Sequence, residues 1–520
     1  MSHPPVEQGP FRMPMFKSFV PRRLQPWIYV LQLVFFQLSG GIYLGAMPQI
    51  QGTYDWLRED LIMCLNCNLL GMACCFPMLF RFKFRFTNQQ LLVVAALIVG
   101  LGNLLTMHVS LRPLLWLICF IVGVGKIMGT FENVSNIMTW LTRTRNFSTF
   151  FPVLNTVLIT CVTTSSWFSQ LVAYHMPWQL IHLFTLGGMC FVLLVQTLLC
   201  KPFCPMPPDR RIPIVGVDFA GAALWVAFFA QVSYILTYGN HLDWYASDTT
   251  WLLTGTSLIT LGMAIHRFIT ADHPYYSREV FTSYRNIVAI LSVCALTDAL
   301  LSCHNSIEPI LYSVVLHYTG LRQQWLSMLG IVGVVLGGAF SFWWLRIMHY
   351  APYKLIAIGF LLSAFYALGL YVSVSEQMSI QTLYPLTIIR DAASCILTVI
   401  LMWSLGQMLP FEHFFQGLSI FNVLHMMLGS NIGTLVYTEV FQRLVADNAS
   451  RYSVLPSVEQ LLAISVKQLY GGVVLLLCAV SLLFFFWDLN WVRTSVRKMT
   501  SWSTVGIRLA ASLTVPATRK

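Results

Sequence analysis

Fourteen stretches of this chain are long and apolar enough to cross a bilayer as helices, and they leave little sequence between them. Their expected bounds are 26–47, 60–80, 91–109, 113–141, 149–174, 178–200, 217–238, 249–269, 286–316, 324–346, 353–374, 383–403, 415–440 and 468–487. Only 10% of the residues are charged and the mean hydropathy is +0.69. A water-soluble domain would carry about 25% charged residues. The expected fold class is therefore all-α: a polytopic membrane protein with 14 transmembrane helices. The polar residues 1–25, ahead of a long apolar run with no convincing cleavage site, predict an uncleaved first span rather than a signal peptide.

The distribution of positive charge orients the chain. Lys and Arg number 31 against 20 Asp and Glu, for a net charge of +11. With the N-terminus in the cytoplasm, 23 of the 31 fall on the inside, 6 on the outside, and Lys126 and Arg390 within spans. That bias is what the positive-inside rule demands, and a missed span would scramble it. It explains the basic charge without nucleic acid as a partner. The expected location is the plasma (inner) membrane with both termini cytoplasmic, the bilayer itself being the surrounding partner. Asn448-Ala-Ser is an acceptor sequence for glycosylation and is expected outside. The 13 cysteines are scattered through apolar spans. Cys64 and Cys67 have CxxC spacing, but no second pair or histidine cluster completes a zinc site, so they read as small apolar filler. No metal and no cofactor is expected.

Ionisable residues well inside spans are few, and they are the candidates for function. A charge at mid-helix costs about 2.5–3.5 kcal/mol on insertion scales, so it persists only facing protein or a polar path. The fourth span carries Lys126 and Glu132. At 100° per residue, Lys126, Thr130 and Asn133 form one stripe, and Glu132, Asn136 and Thr139 a second beside it. The ninth span carries Asp298, His304 and Glu308; Asp298, Ser302 and Asn305 share a face, and His304 and Glu308 are neighbours one turn apart. The twelfth carries Arg390 and Asp391, and the thirteenth His425. Glu132 lies six residues from Lys126, about 9 Å along the axis, too far for direct pairing. Asp298 or Asp391 is the expected partner of Lys126, and Arg390 that of Glu132.

Three stretches resemble the fourteen-helix, EmrB/QacA-type drug:proton antiporters of the major facilitator superfamily. The first is DFAGAALWVAFFAQVSYILTYGNHLDWYASDTTWLL (218–253), with Asp218, Gly221, Gly239, Leu242, Asp243, Trp244 and Tyr245 in the family's places. The second is HPYYSREVFTSYRN (273–286), and the third GLSIFNVLHMMLGSNIGTLVYTEVFQRL (417–444), with Asn422, His425, Gly429, Ser430 and Gly433. The run 178–184 is similar to the family's Trp-Arg-Trp-Ile-Phe. Departures are also plain: Ser39, Gly40 and Gly41 stand where the family has an Asp, and His425 where it has an Arg. The basic loop of Arg81, Lys83 and Arg85 lacks the family's Gly and Asp.

The resemblance implies two six-helix halves with the seventh and eighth helices inserted between them. The corresponding bounds are a cytoplasmic tail 1–25, a first half 26–200, a linker and inserted pair 201–270, a second half 271–488 and a basic cytoplasmic tail 489–520. It implies a cavity lined by the first, fourth, ninth and twelfth helices. The expected function is a secondary active transporter, not an enzyme, exporting small amphipathic or drug-like molecules by alternating access and coupled to protons. Its partners are then that small molecule and protons; the sequence carries no signal for or against a periplasmic adaptor. No GxxxxGK[ST] occurs, so ATP is not the direct driver. Glu132 and Asp298 are the candidates for protonation, with Lys126 holding the site electrostatically. Uptake or exchange of one metabolite by the same fold is the alternative. A histidine-metal oxidoreductase using His304 and His425 is a distant third, since no HxxxH or HxxHH cluster occurs.

The orientation has a direct test. An Arg210→Cys variant in a cysteine-free background is expected to resist an impermeant thiol reagent in intact cells, while Asp243→Cys is expected to react. Labelling of position 210 from outside would break the fourteen-span order.

Overall fold

Helix follows helix through the chain, and among the described residues strand-like pairing is limited to one bridge between Phe16 and Cys200. The structure, a computed structural model, describes residues 16–21, 23–39, 45–141, 147–204, 217–282, 286–348, 350–451 and 457–486. The spans are α1 (Gln25–Leu38), α2 (Arg58–Arg85), α3 (Asn88–Thr106), α4 (Arg112–Leu141), α5 (Phe147–His175) and α6 (Leu180–Leu198). Next come α7 (Phe219–Tyr238) and α8 (Asp248–Thr270). The ninth, α9, runs as Asn286–Leu301, Cys303–Ile310 and a π-helical turn Leu311–Val315. Then α10 is Gly320–Phe342 with a π turn Trp343–Ile347, α11 Lys354–Ser373 and α12 Ile380–Met408. Finally α13 is Phe411–Asn422, a π turn Val423–Gly429 and Ser430–Arg451, and α14 is Val458–Phe486.

Thirteen of these are long and apolar enough to span a membrane. The fourteenth is α1; Gly40 and Gly41 beyond it, the linker 205–216, and the tails 1–15 and 487–520 lie outside the described residues. A short helix, Met47–Tyr54, lies between α1 and α2 in the chain.

Local chemistry sets the ends. Thr87 caps α3, its hydroxyl accepting from the Gln90 backbone while Gln90 accepts from the Thr87 N–H. Asp218 caps α7 by accepting from the Gly221 N–H, and Arg267 at the end of α8 reaches the same carboxylate at 2.7 Å. Lys17 donates to the last carbonyls of α6, Thr197 and Leu198, where a cation suits the helix dipole.

Helix neighbours repeat with a shift of eight. α4 packs on α1, α2 and α3, and α3 on α6; α12 packs on α9, α10 and α11, and α11 on α14. Across the two groups, α2 meets α13 and α5 meets α10. α7 and α8 fall outside the repeat. They pair with each other, and α7 lies against α2 and α13. Trp251, Leu252, Leu258, Ile259 and Met263 on α8 are exposed, a surface suited to lipid.

The closest approaches run through glycine. A Cβ on Gly71 of α2 would stand 2.0 Å from the Phe120 carbonyl oxygen, and one on Gly123 of α4 would stand 2.1 Å from that of Asn68. Each helix therefore lets the other's backbone in. Gly333 and Gly337 of α10 do the same against the Ile388 and Ala392 carbonyls of α12, at 2.3 and 2.5 Å.

The two ends of the bundle are closed differently. At the end that carries Arg85, Lys201, Arg267, Arg346 and Lys354, aromatic rings join the two groups. Phe131 of α4 meets Phe415 of α13 edge-on at 4.9 Å, and Phe151 of α5 meets Phe414 at 6.3 Å. Trp403 donates to Ser148, and Ser419 to the Ala73 carbonyl. At the opposite end, Arg58 donates to the Asn305 carbonyl at 3.1 Å and Gln170 to that of Gly320 at 3.4 Å.

Two expected loops are helix instead. α2 continues from residue 80 to Arg85, and α13 from 440 to Arg451. Asn448, expected in an outside loop, is buried against α14, where its amide donates to Ser465 and Gln468. That amide is engaged in helix packing and is not presented for glycosylation.

Valine at Gly71 or Gly123 meets backbone that no rotamer change can move. Each substitution is expected to destabilise by about 1–3 kcal/mol or more, read as a lower unfolding temperature of the purified protein. Gly187→Val and Gly262→Val, where a Cβ meets nothing within 4 Å, should leave that temperature unchanged.

Candidate functional site

The polar stripe of α4 is built against α1, α2 and α5. Gly129 makes room for the Phe36 ring of α1, and at the next residue of each helix Gln37 donates to the Thr130 hydroxyl at 2.7 Å. Asn133 and Asn136 donate to backbone carbonyls one turn back, Gly129 and Glu132. Glu132 pairs with Lys83 of α2 at 3.2 Å, each side chain only 1% exposed. Lys83 also donates to Ser135 at 2.5 Å and lies 5.1 Å from the Phe131 ring centroid. Lys83 was expected in the basic loop. The continued helix α2 and its close approach to α4 bury it instead. Glu132 thus takes its cation from α2, not from Arg390.

The second constellation joins α9, α11 and α12. The Arg390 guanidinium grips Asp391 through Nε and Nη2, at 2.7 and 3.2 Å, and reaches Glu308 through Nη1 at 2.5 Å. Tyr366 of α11 donates to the other Glu308 oxygen, and the Tyr470 ring of α14 stands edge-on to Tyr366 at 6.2 Å. Gly330 of α10 supplies the space for the Asp391 carboxylate, since a Cβ there would lie 2.0 Å from it. One cation therefore serves two carboxylates. A cavity of about 20 Å³ lies beside them, lined in part by His304, Ser363, Tyr366, Arg390, Ser394 and Tyr470. That is room for a single water among polar partners.

Helix geometry places Glu308. Pro309 offers no N–H, and the helix loosens into the π turn 311–315 directly after it. Ser313 donates to the Pro309 carbonyl at 2.5 Å. His304 turns back, its Nδ1 to the Leu301 carbonyl.

A third contact links Asp298 of α9 to His425 of α13. His425 stands in the π turn 423–429, next to the Phe421 ring at 4.7 Å. Gly429 and Gly433 permit the approach: a Cβ on either would strike the Ala295 or Ala299 carbonyl of α9. Asn305 is exposed, its side chain 3.5 Å from the Ser430 hydroxyl.

Lys126 differs from the other two cations inside spans. It is 4% exposed, faces Cys161 of α5, and has no carboxylate partner among the described residues. The partners expected for it are engaged elsewhere, Asp391 with Arg390 and Asp298 with His425. No group of three or more His, Cys, Asp or Glu among the described residues is placed to hold a metal.

Sequence comparison adds no family: no family model matches the chain, and no curated protein matches it. Structure comparison finds chains of similar fold. The human organic anion transporter MFSD10 (TETRAN) superposes with a TM-score of 0.54 at 14% identity, over 88% of this chain and 100% of that one. A mutant of the peptide transporter POT in complex with alafosfalin gives 0.57 at 12% identity, over 95% and 98%. Tetrameric PepTSo2 gives 0.55 at 12%, over 92% and 100%. The chain shares its fold with these transporters. Within that fold the polar side chains above occupy α1, α2, α4, α9, α11, α12 and α13.

The buried Lys83–Glu132 pair can be tested by removing one or both charges. Lys83→Met alone leaves an unpaired buried carboxylate and is expected to destabilise by about 3–5 kcal/mol. The double variant Lys83→Met with Glu132→Leu should recover most of that loss in thermal unfolding. Equal instability of the single and double variants would show that the pair is not coupled.

Proposed function

We propose that this chain is a secondary active transporter that moves small amphipathic molecules out of the cell in exchange for protons. The fold supports alternating access, with α1–α6 and α9–α14 as two halves that rock about a site near mid-membrane and α7–α8 as an outlying pair. The charge bias of 23 to 6 supports a plasma-membrane orientation with both termini inside. The basic, aromatic-sealed end is then the cytoplasmic one, and the described arrangement is closed on that side.

One observation carries the coupling: a single guanidinium, Arg390, lies between Glu308 and Asp391. Two carboxylates on one cation leave a surplus negative charge in an apolar interior, and a proton removes it. Tyr366 is already placed on Glu308. Protonation of Glu308 would free Arg390 for Asp391 alone, loosening α9 from α12. Deprotonation would restore the bridge. Asp298 with His425 is a second proton-bearing pair, between α9 and α13. Glu132, already neutralised by Lys83, braces α2 against α4. Asn133, Asn136 and Asn305 supply polar lining.

Proteoliposomes test this with a mixed panel of labelled amphipathic acids, alcohols and amines. The reading predicts that at least one member accumulates under an imposed pH gradient and is released by a protonophore. Glu308→Gln should abolish gradient-driven accumulation while sparing exchange of labelled for unlabelled substrate. Full gradient-driven accumulation by that variant would remove Glu308 from coupling, and no accumulation of any member would contradict the transporter itself.

A further inference from the structure

We infer that Lys126 is an anion-recognition point, so that the transported molecule is an amphipathic organic anion. The inference rests on the transporter reading and deepens it to a substrate class.

The argument is a census of charge. Lys83 is matched by Glu132, and Arg390 by Glu308 and Asp391. At the ends of spans, Arg112 is matched by Asp60 and Arg267 by Asp218. Lys126 sits near the middle of a 30-residue helix, and none of these carboxylates reaches it. Among the described residues its surroundings offer no substitute anion. Cys161 of α5 faces it with a thiol, and one turn along, Thr130 is engaged with Gln37 of α1. A buried ammonium has three N–H donors and no acceptor, so what satisfies it is an acceptor, and a charged one best.

The same stripe holds a second unmet group. The Asn133 side-chain oxygen Oδ1 is fully buried and has no donor among the described residues. It lies seven residues from Lys126, about 10 Å along the axis. A molecule with a carboxylate at Lys126 could place a hydroxyl or amide N–H there. The second half shows the opposite imbalance, with surplus carboxylate around Arg390. Anion recognition on α4 and proton binding on α9 and α12 are thus divided between the two halves.

The purified full-length protein tests the inference with three probes of one shape: 4-phenylbutyrate, 4-phenylbutanol and 4-phenylbutylammonium at millimolar concentration. Thermal unfolding is expected to rise with the carboxylate alone. Lys126→Ala should weaken that response about tenfold or more, the loss of one charge-assisted hydrogen bond, and Lys126→Arg should keep part of it. Cys161→Asp places a carboxylate opposite Lys126 and should abolish the preference without removing the lysine. The inference is overturned if the ammonium or alcohol stabilises as well as the carboxylate, if no probe stabilises, or if Lys126→Ala and Cys161→Asp both retain the carboxylate response. A carboxylate that binds through Lys126 but is never accumulated by proteoliposomes would instead count against transport, leaving the anion site in place.

Discussion

A formal charge surrounded by apolar helices must be neutralised, hydrogen-bonded or filled by a ligand, because no bulk water is at hand to do it. That constraint organises this molecule. Lys83 is held against Glu132 although it sits among residues that read as a basic loop. Arg390 is held against two carboxylates and, through Glu308, against Tyr366. Asp298 is held against His425. Apart from Arg390 with its neighbour Asp391 on α12, these contacts tie together helices that sequence keeps apart, so the charges act as register pins between spans. Lys126 stands outside that scheme: among the described residues no carboxylate reaches it, and that is the most informative feature of the first half.

The contacts are possible because the backbones come close. Gly71 and Gly123 seat α2 and α4 on each other's carbonyls, which brings Lys83 to Glu132. Gly333 and Gly337 seat α10 on α12 in the equivalent place, and Gly330 leaves space for Asp391. Within each group the packing is tight and pinned. Between the groups it is uneven, with aromatic rings at the basic end and two polar bonds to backbone carbonyls at the other. Rigid units joined by an uneven seam are what rocking requires: the weaker contacts are polar, solvent-tolerant and easily exchanged.

Much of this was legible in the sequence, and the remainder was hidden for identifiable reasons. The spans themselves follow from local apolar length, so their order survives, α1 included. The in-span charges stood out because they break that apolarity. Their partners did not, since pairing depends on which helices touch. Lys83 sits in a run where aromatic and basic residues alternate from Phe80 to Phe86, a pattern without helical periodicity, and only the approach of α4 buries it. Tyr366 and Tyr470 look like ordinary core aromatics in apolar runs, and nothing local marks the hydroxyl that meets Glu308. Pro309 announces the π turn at 311–315, but no such residue announces the one that presents His425. Asn448 misled for the converse reason: a polar helix end reads as a loop until its partners on α14 are known.

Rocking of the two groups is the claim on which the transport account stands, and paired spin labels measure it directly. One pair, at His175 of α5 and Arg322 of α10, reports the end where polar bonds join the groups; a second, at Thr149 and Arg346 of the same two helices, reports the aromatic end. Pulsed electron–electron distance measurements across a pH series, with and without 4-phenylbutyrate, should show two populations at each end. The account predicts that the distance at one end lengthens as the other shortens. A single unchanging distance at both ends under every condition would contradict it.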